Sequence, residues 1–140
     1  MSGRSFPDTD ILIYAFADTG DERHEKALTL VEDLLDRHCA CLSVQVLREF
    51  HAVATRKVRT PLSRRDAALV IRDLCSACFV AEESVPQLQR SLDLMDRHLL
   101  SIRDASVVAA AEAIGCRQLY TEDLTDGATI GTVRIANPLH

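Results

Sequence analysis

The sequence predicts an α/β fold, a mostly parallel sheet of about five strands sandwiched by helices. Three observations lead there. Short apolar runs of strand length alternate with amphipathic stretches of helix length, the order that crossover connections require. Serines stand at the expected openings of four helices, at Ser43, Ser63, Ser84 and Ser101. The chain of 140 residues, 47% apolar and 26% charged, can bury one sizeable core, and it contains no repeat, low-complexity segment or long linker. A single domain over residues 1–140 is the expectation.

Phe6 to Ala17 reads either as one buried strand or as a short strand followed by a helix, because its apolar run suits both periods. Glu22 to Asp36 is helical, with Ala27, Leu28, Val31, Leu34 and Leu35 on one face. His38 to Ser43 is the next strand, and Ser43 caps a helix from Val44 to about Lys57 with a stripe of Val46, Leu47, Phe50, Val53 and Ala54. Arg59-Thr60-Pro61-Leu62 breaks the pattern. Ser63 with Asp66 forms a capping box for a helix to about Cys75. Phe79 to Ala81 is a short strand, and Ser84, Pro86 and Gln87 open a helix to about His98. Ser101 then caps an alanine-rich helix whose body, Val107 to Ile114, is almost wholly apolar and therefore buried, with Gly115 as its stop. Gln118 to Thr121 is a strand running into the acidic turn Glu122 to Gly127, and Thr132 to Ala136 is the last strand.

Composition excludes several classes. No apolar run approaches the roughly 20 residues that span a bilayer, and the opening M-S-G-R-S-F-P-D has no apolar signal core, so a cytoplasmic protein is expected. Five cysteines do not form a disulfide framework. Cys39, Cys41, Cys75 and Cys78 are conceivable zinc ligands, yet Cys39 and Cys41 would share one side of a strand, and buried free thiols are the plainer reading. A net charge of −5 argues against coating nucleic acid by bulk charge, but it leaves local binding open. Only Lys26 and Lys57 are lysines among the 16 basic side chains, and arginine is the better bidentate phosphate binder. The five histidines are scattered and none pairs with a serine or cysteine elbow, and no glycine-rich phosphate loop is present.

Four of the 21 acidic residues sit at element boundaries or on apolar helices rather than on solvated faces: Asp8, Glu49, Asp104 and Asp123. Each has an ordinary explanation as a cap, a turn former or the edge of a polar face. Asp104 and Asp123 belong to one helix-strand-loop unit, which in a parallel sheet delivers both to the crevice beyond the strand ends. Carboxylates brought together repel, and a hard divalent cation removes that penalty; oxygen-only donors favour Mg2+ or Mn2+ over zinc. Such a centre suits phosphodiester hydrolysis. Thr9 and Thr121 stand beside candidate ligands and have hydroxyls able to orient them, while Arg48, Arg56, Lys57 and Arg103 are candidate phosphate contacts.

P-D-T-D-I-L-I-Y-A-F from Pro7, S-V-Q-V-L-R-E-F-H-A-V-A-T-R-K from Ser43, R-D-A-S-V-V-A-A-A-E-A-I-G-C-R-Q-L-Y-T-E-D-L-T-D-G from Arg103 and the ending R-I-A-N-P-L resemble, in order, the motif blocks of PIN-domain ribonucleases. The size is similar to that of the VapC-type toxins of bacterial toxin–antitoxin pairs. The resemblance implies that Asp8 ends the first strand, that Ile11 to Ala17 is a short helix, and that Asp8, Glu49, Asp104 and Asp123 are catalytic metal ligands. It also implies an Mg2+- or Mn2+-dependent endoribonuclease acting on RNA, a homodimer, and a small cognate antitoxin as partner. Asp10 departs from the asparagine usual at its position, and Asp126 is a possible extra ligand. Two other readings stand beside this one: a PIN-like module that binds RNA or protein without cleaving, and a haloacid-dehalogenase-type phosphatase built on Asp8-Thr9-Asp10, which lacks a suitably placed lysine and leaves Glu49 and Asp104 unexplained.

Overall fold

The computed structural model describes residues 3–140. The ambiguous opening resolves into strand β1 (Arg4–Pro7) and helix α1 (Thr9–Phe16), joined by Asp8. Pro7 lacks a ladder donor and closes the strand, and the Asp8 side chain accepts the free Thr9 N–H at the helix start. There follow α2 (Arg23–Asp36), β2 (Cys41–Ser43), α3 (Val44–Ala54), α4 (Arg64–Ala77), β3 (Phe79–Ala81), α5 (Val85–Arg97), α6 (Ile102–Ala113), β4 (Cys116–Tyr120), β5 (Thr129–Ile130) and β6 (Val133–Ala136). All four serine caps form, each accepting a backbone N–H from three residues on.

β1 pairs in parallel with β4, Phe6 opposite Leu119, and β4 pairs in parallel with β6, Leu119 opposite Ile135. β2 and β3 form a second parallel pair. A single parallel bridge, Ser5 to Ala40, with Ser5 N–H donating to the Cys39 carbonyl at 3.0 Å, joins the two pieces in the order β3-β2-β1-β4-β6. These five strands are the parallel sheet the sequence leads one to expect. β5 is an addition: it lies antiparallel on β6 across a turn at Gly131, whose φ of 60° suits glycine. Several boundaries also differ: β2 begins at Cys41 rather than His38, and α4 runs on to Ala77. α3 stops at Ala54 rather than near Lys57, because Leu62 N–H folds back onto the Ala54 carbonyl at 2.9 Å, and β4 starts at Cys116, two residues early.

The core is drawn from both sides of the sheet. Phe6, Leu42, Leu119 and Ile135 are fully buried, as are Ile11 and Leu12 of α1 and Val46 and Phe50 of α3. α6 packs against β2, β4 and β6, with α5 lying on it. Its alanine-rich body is buried on nearly every side, which small side chains permit by letting the helix approach the sheet closely. Gly115, at φ 75°, ends the helix as the left-handed residue. Strand order reverses around β1, so the carboxyl ends of β1 and β4 open onto the crevice where parallel sheets place their sites.

All five cysteines are free. Cys39, Cys41 and Cys116 are buried, and burial pushes the half-buried Cys78 thiol up to about 11. Among the described residues, the group of side chains close enough to share an ion contains no cysteine, which leaves the zinc reading without support. No helix among the described residues is long and apolar enough to cross a membrane.

Candidate active site

Four elements aim side chains at the crevice. Asp8 follows the last residue of β1, and its N–H continues the ladder by donating to Tyr120 O at 2.9 Å, so its position is tied to the sheet. Its side chain is 2% exposed. Glu49 projects from the middle of α3, whose register is set by the Ser43 cap. Asp104 sits in the first turn of α6, its own N–H bound to Ser101 Oγ at 3.1 Å. Asp123 lies in the loop after β4, where Thr121 Oγ1 accepts its N–H at 3.2 Å.

Asp8, Glu49 and Asp104 converge on one group, the guanidinium of Arg103. Nη2 and Nη1 reach the two Asp8 oxygens at 2.7 and 2.9 Å. Nε and Nη2 reach the two Glu49 oxygens at 3.1 and 2.9 Å, and Nη1 reaches Asp104 Oδ1 at 3.1 Å. Thr9 Oγ1 accepts from Nη2 at 2.9 Å and donates to Glu49 Oε1 at 2.9 Å, the carboxylate-orienting role its position suggested. Arg103 is thus not a free phosphate contact in this state. A single positive charge is shared by three carboxylates, and those contacts raise the arginine's own pKa although burial opposes them.

Beside this knot lies a second acidic group. Oxygens of Asp10, Glu122 and Asp123 come within 4.8 Å of one another. Asp10 accepts from Glu122 N–H at 2.9 Å and from Thr121 Oγ1 at 3.2 Å, so the residue that departs from the usual asparagine pins the start of the loop that carries Asp123. Burial, then the Asp8 and Asp123 charges, push Asp10 up to about 7. Asp123 is also raised, by burial and then by Asp8 and Glu122, with Arg103 pulling the other way. Glu122 is held by its own partners: the hydroxyl of Tyr14, which lines the same cleft, donates to it, and Arg23, stacked 4.3 Å over the Tyr14 ring, pairs with it at 3.4 Å.

Asp10, Glu49, Arg103 and Asp123 line one cleft of about 560 Å³, and Lys57 and Arg59 contribute to its rim. Among the described residues neither rim cation has an ion-pair partner. Arg48 instead pairs with Glu83 at 3.3 Å. Asp126 accepts the Asn137 N–H at 3.0 Å and faces His140, so it serves the C-terminal tail and not the acidic knot. Neither Glu122 nor the placing of Arg103 at the centre was apparent from the sequence; for Glu122 the signal that bore on it was the extra carboxylate at Asp10, which accepts its N–H.

A donor set of hard carboxylate oxygens, two of whose members are destabilised as anions by burial and then by neighbouring carboxylates, fits a divalent cation of the magnesium class.

Comparison with known proteins agrees with the architecture. A family model described as PIN domain matches residues 5–125. No curated protein matches the chain. Among solved structures, a toxin–antitoxin complex from Klebsiella pneumoniae is 21% identical with a TM-score of 0.67, covering 96% of this chain and 97% of that one. VapC20 of Mycobacterium tuberculosis, described as a sarcin-ricin loop cleaving toxin, is 22% identical with a TM-score of 0.69, covering 93% and 98%. A DNA-bound VapBC from Salmonella typhimurium is 15% identical with a TM-score of 0.69, covering 97% and 98%.

Proposed function

The chain belongs to the PIN-domain family, and on that basis we propose that it is a metal-dependent endoribonuclease, the toxin of a toxin–antitoxin pair. The observation that carries this reading is the convergence of Asp8, Glu49 and Asp104 on one point at the ends of β1 and β4, with Asp123 lining the same cleft. Evolutionarily neutral caps and turns would have no reason to share one counter-charge. These four carboxylates are the proposed metal ligands and the catalytic set, with Asp10 next to them.

A divalent cation, Mg2+ or Mn2+, would supply polarisation of a phosphoryl oxygen and a bound water of lowered pKa. The chain's own residues do the rest. Asp8 and Asp104 are rigid, one fixed to the sheet and one to a helix cap. Thr9 holds the orientation of Glu49, and Thr121 that of the Asp123 loop. Lys57 and Arg59 offer unpaired charge to an RNA backbone entering the cleft. A small cognate antitoxin belongs to the proposal, supported by neighbours that are toxin–antitoxin complexes; a homodimer and a cytoplasmic location are proposed with it.

The test is Asp104→Asn. Asparagine still accepts from Arg103 through its carbonyl and keeps the helix start, so the fold stays native by circular dichroism. Loss of a ligand costs more than loss of an orienting partner, hence RNA cleavage in Mn2+ falls by roughly 100-fold or more. Undiminished cleavage by a native-like variant would remove Asp104 from the site.

A further inference from the structure

We propose that Arg103 is a built-in counter-cation that closes the acidic centre when no metal is present and must withdraw for a divalent ion to enter. The proposal rests on the metal reading of Asp8, Glu49 and Asp104. Every hydrogen bond recorded for the Arg103 side chain ends on a carboxylate oxygen of those three residues or on Thr9 Oγ1. Both oxygens of Asp8 and both of Glu49 are taken, the atoms an incoming cation needs. Guanidinium and a divalent ion therefore compete for one oxygen cage.

The placement is hard to explain as helix architecture. Arg103 is the second residue of α6, where the positive end of the helix dipole disfavours a cation, and an acid or small polar residue is the usual choice. Nor is the side chain locked in. It remains 30% exposed and lines the same cleft as Lys57, so rotation about its long stem carries the guanidinium into solvent without disturbing the core. One positive charge also under-neutralises the centre: three carboxylates contact it, and Asp10 and Asp123 stand unneutralised beside it. A double charge in the same cage satisfies more of them, so metal wins where it is present and Arg103 holds the cage together where it is not.

A closed fraction weakens apparent affinity by the fraction left open. Arg103→Met removes the competitor while retaining an apolar stem. Manganese binding by calorimetry should tighten roughly tenfold in this variant, if on the order of one molecule in ten is open in the wild type. Thermal unfolding in a chelator should shift to lower temperature, and saturating Mn2+ should restore most of the loss. Lys57→Met is the control, since it deletes a rim charge that touches none of the carboxylates; its Mn2+ affinity should change by much less. Should Arg103→Met, natively folded by circular dichroism, bind Mn2+ no more tightly than the wild type, the competition is wrong while the metal centre stands. Equal tightening by both variants would make the effect one of general charge and overturn the proposal. Absence of Mn2+ binding in both wild type and Arg103→Met would overturn the metal reading itself, and this proposal with it. If Arg103→Met fails to fold, Arg103→Gln serves in its place, removing the charge while keeping a polar end that can still donate to Asp8; unchanged Mn2+ affinity there overturns the competition equally.

Discussion

The guanidinium of Arg103 grips both oxygens of Asp8, at 2.7 and 2.9 Å, across 95 residues of sequence. Asp8 is nearly inaccessible, so this contact is the main compensation for a carboxylate sealed at the end of a strand. A parallel two-pronged pair is stronger than a single charged hydrogen bond and fixes orientation as well.

Stability in the metal-free state should therefore depend on Asp8 more than on Asp104. Asp8→Asn keeps one acceptor but turns an amide N–H toward an arginine nitrogen, losing a charge-assisted bond. We expect a loss of about 1–3 kcal/mol in urea denaturation in a chelator. Asp104→Asn, whose side chain offers Arg103 one oxygen at 3.1 Å that a carbonyl can replace, should lose clearly less. Equal losses would mean that the pair with Asp8 is not the anchor.

Asp10 makes the stability of the metal-free protein fall with rising pH. Its folded value, about 7, lies above the ordinary 3.8, raised first by burial and then by the Asp8 and Asp123 charges. Between those two values the folded chain holds a proton that the unfolded chain has released. The contribution is thus complete below about pH 4 and is lost as pH climbs through about 7, a change on the order of a few kcal/mol. Unfolding free energies from pH 4 to 8 in a chelator should show this decline, and Asp10→Asn should flatten it. An unchanged slope in Asp10→Asn would assign the decline to other groups. In saturating Mn2+ the slope should shrink in the wild type, since a nearby divalent charge favours the ionised carboxyl.

What could be read from the sequence follows from how local each signal is. Serine caps are chemistry within one turn, and all four appear where expected. The buried nature of α6 is equally plain from its alanines. Phe6 to Ala17 is ambiguous by periodicity alone because Ile11, Leu12 and Ile13 are all buried, so neither a two-residue nor a 3.6-residue period stands out, and only the family resemblance points to a strand followed by a helix. β5 has two residues, too few for any period, and exists because Gly131 turns the chain back onto β6. Asp8, Glu49 and Asp104 were visible as acids in unusual places. Their meeting point was not, because an arginine at a helix start reads as solvated surface until residues 8, 49 and 103 are brought together in space. Tyr14, Arg23 and Glu122 form a similar long-range cluster with no sequence signature at all.

The rim cations supply the last expectation. Lys57 and Arg59 line the same cleft as the acids and have no ion-pair partner among the described residues, unlike Arg48, which Glu83 occupies. An unpaired charge that meets a phosphate displaces a counterion from the nucleic acid, so it contributes to the salt dependence of binding, whereas a charge that merely faces solvent does not. Gly20, at φ 74°, gives Arg59 its place: a side chain there would collide with the Arg59 stem, its first carbon 2.7 Å from Arg59 Cδ. Binding of a non-cleaved single-stranded RNA to the Asp104→Asn protein should weaken when Lys57 and Arg59 are both made alanine. The slope of log affinity against log salt should become shallower by about 1.4, two contacts at about 0.7 each for single strands. Gly20→Ala should reproduce about half of that change by moving Arg59 alone. Weakened binding with an unaltered slope would mean that the two residues shape the cleft and do not touch phosphate.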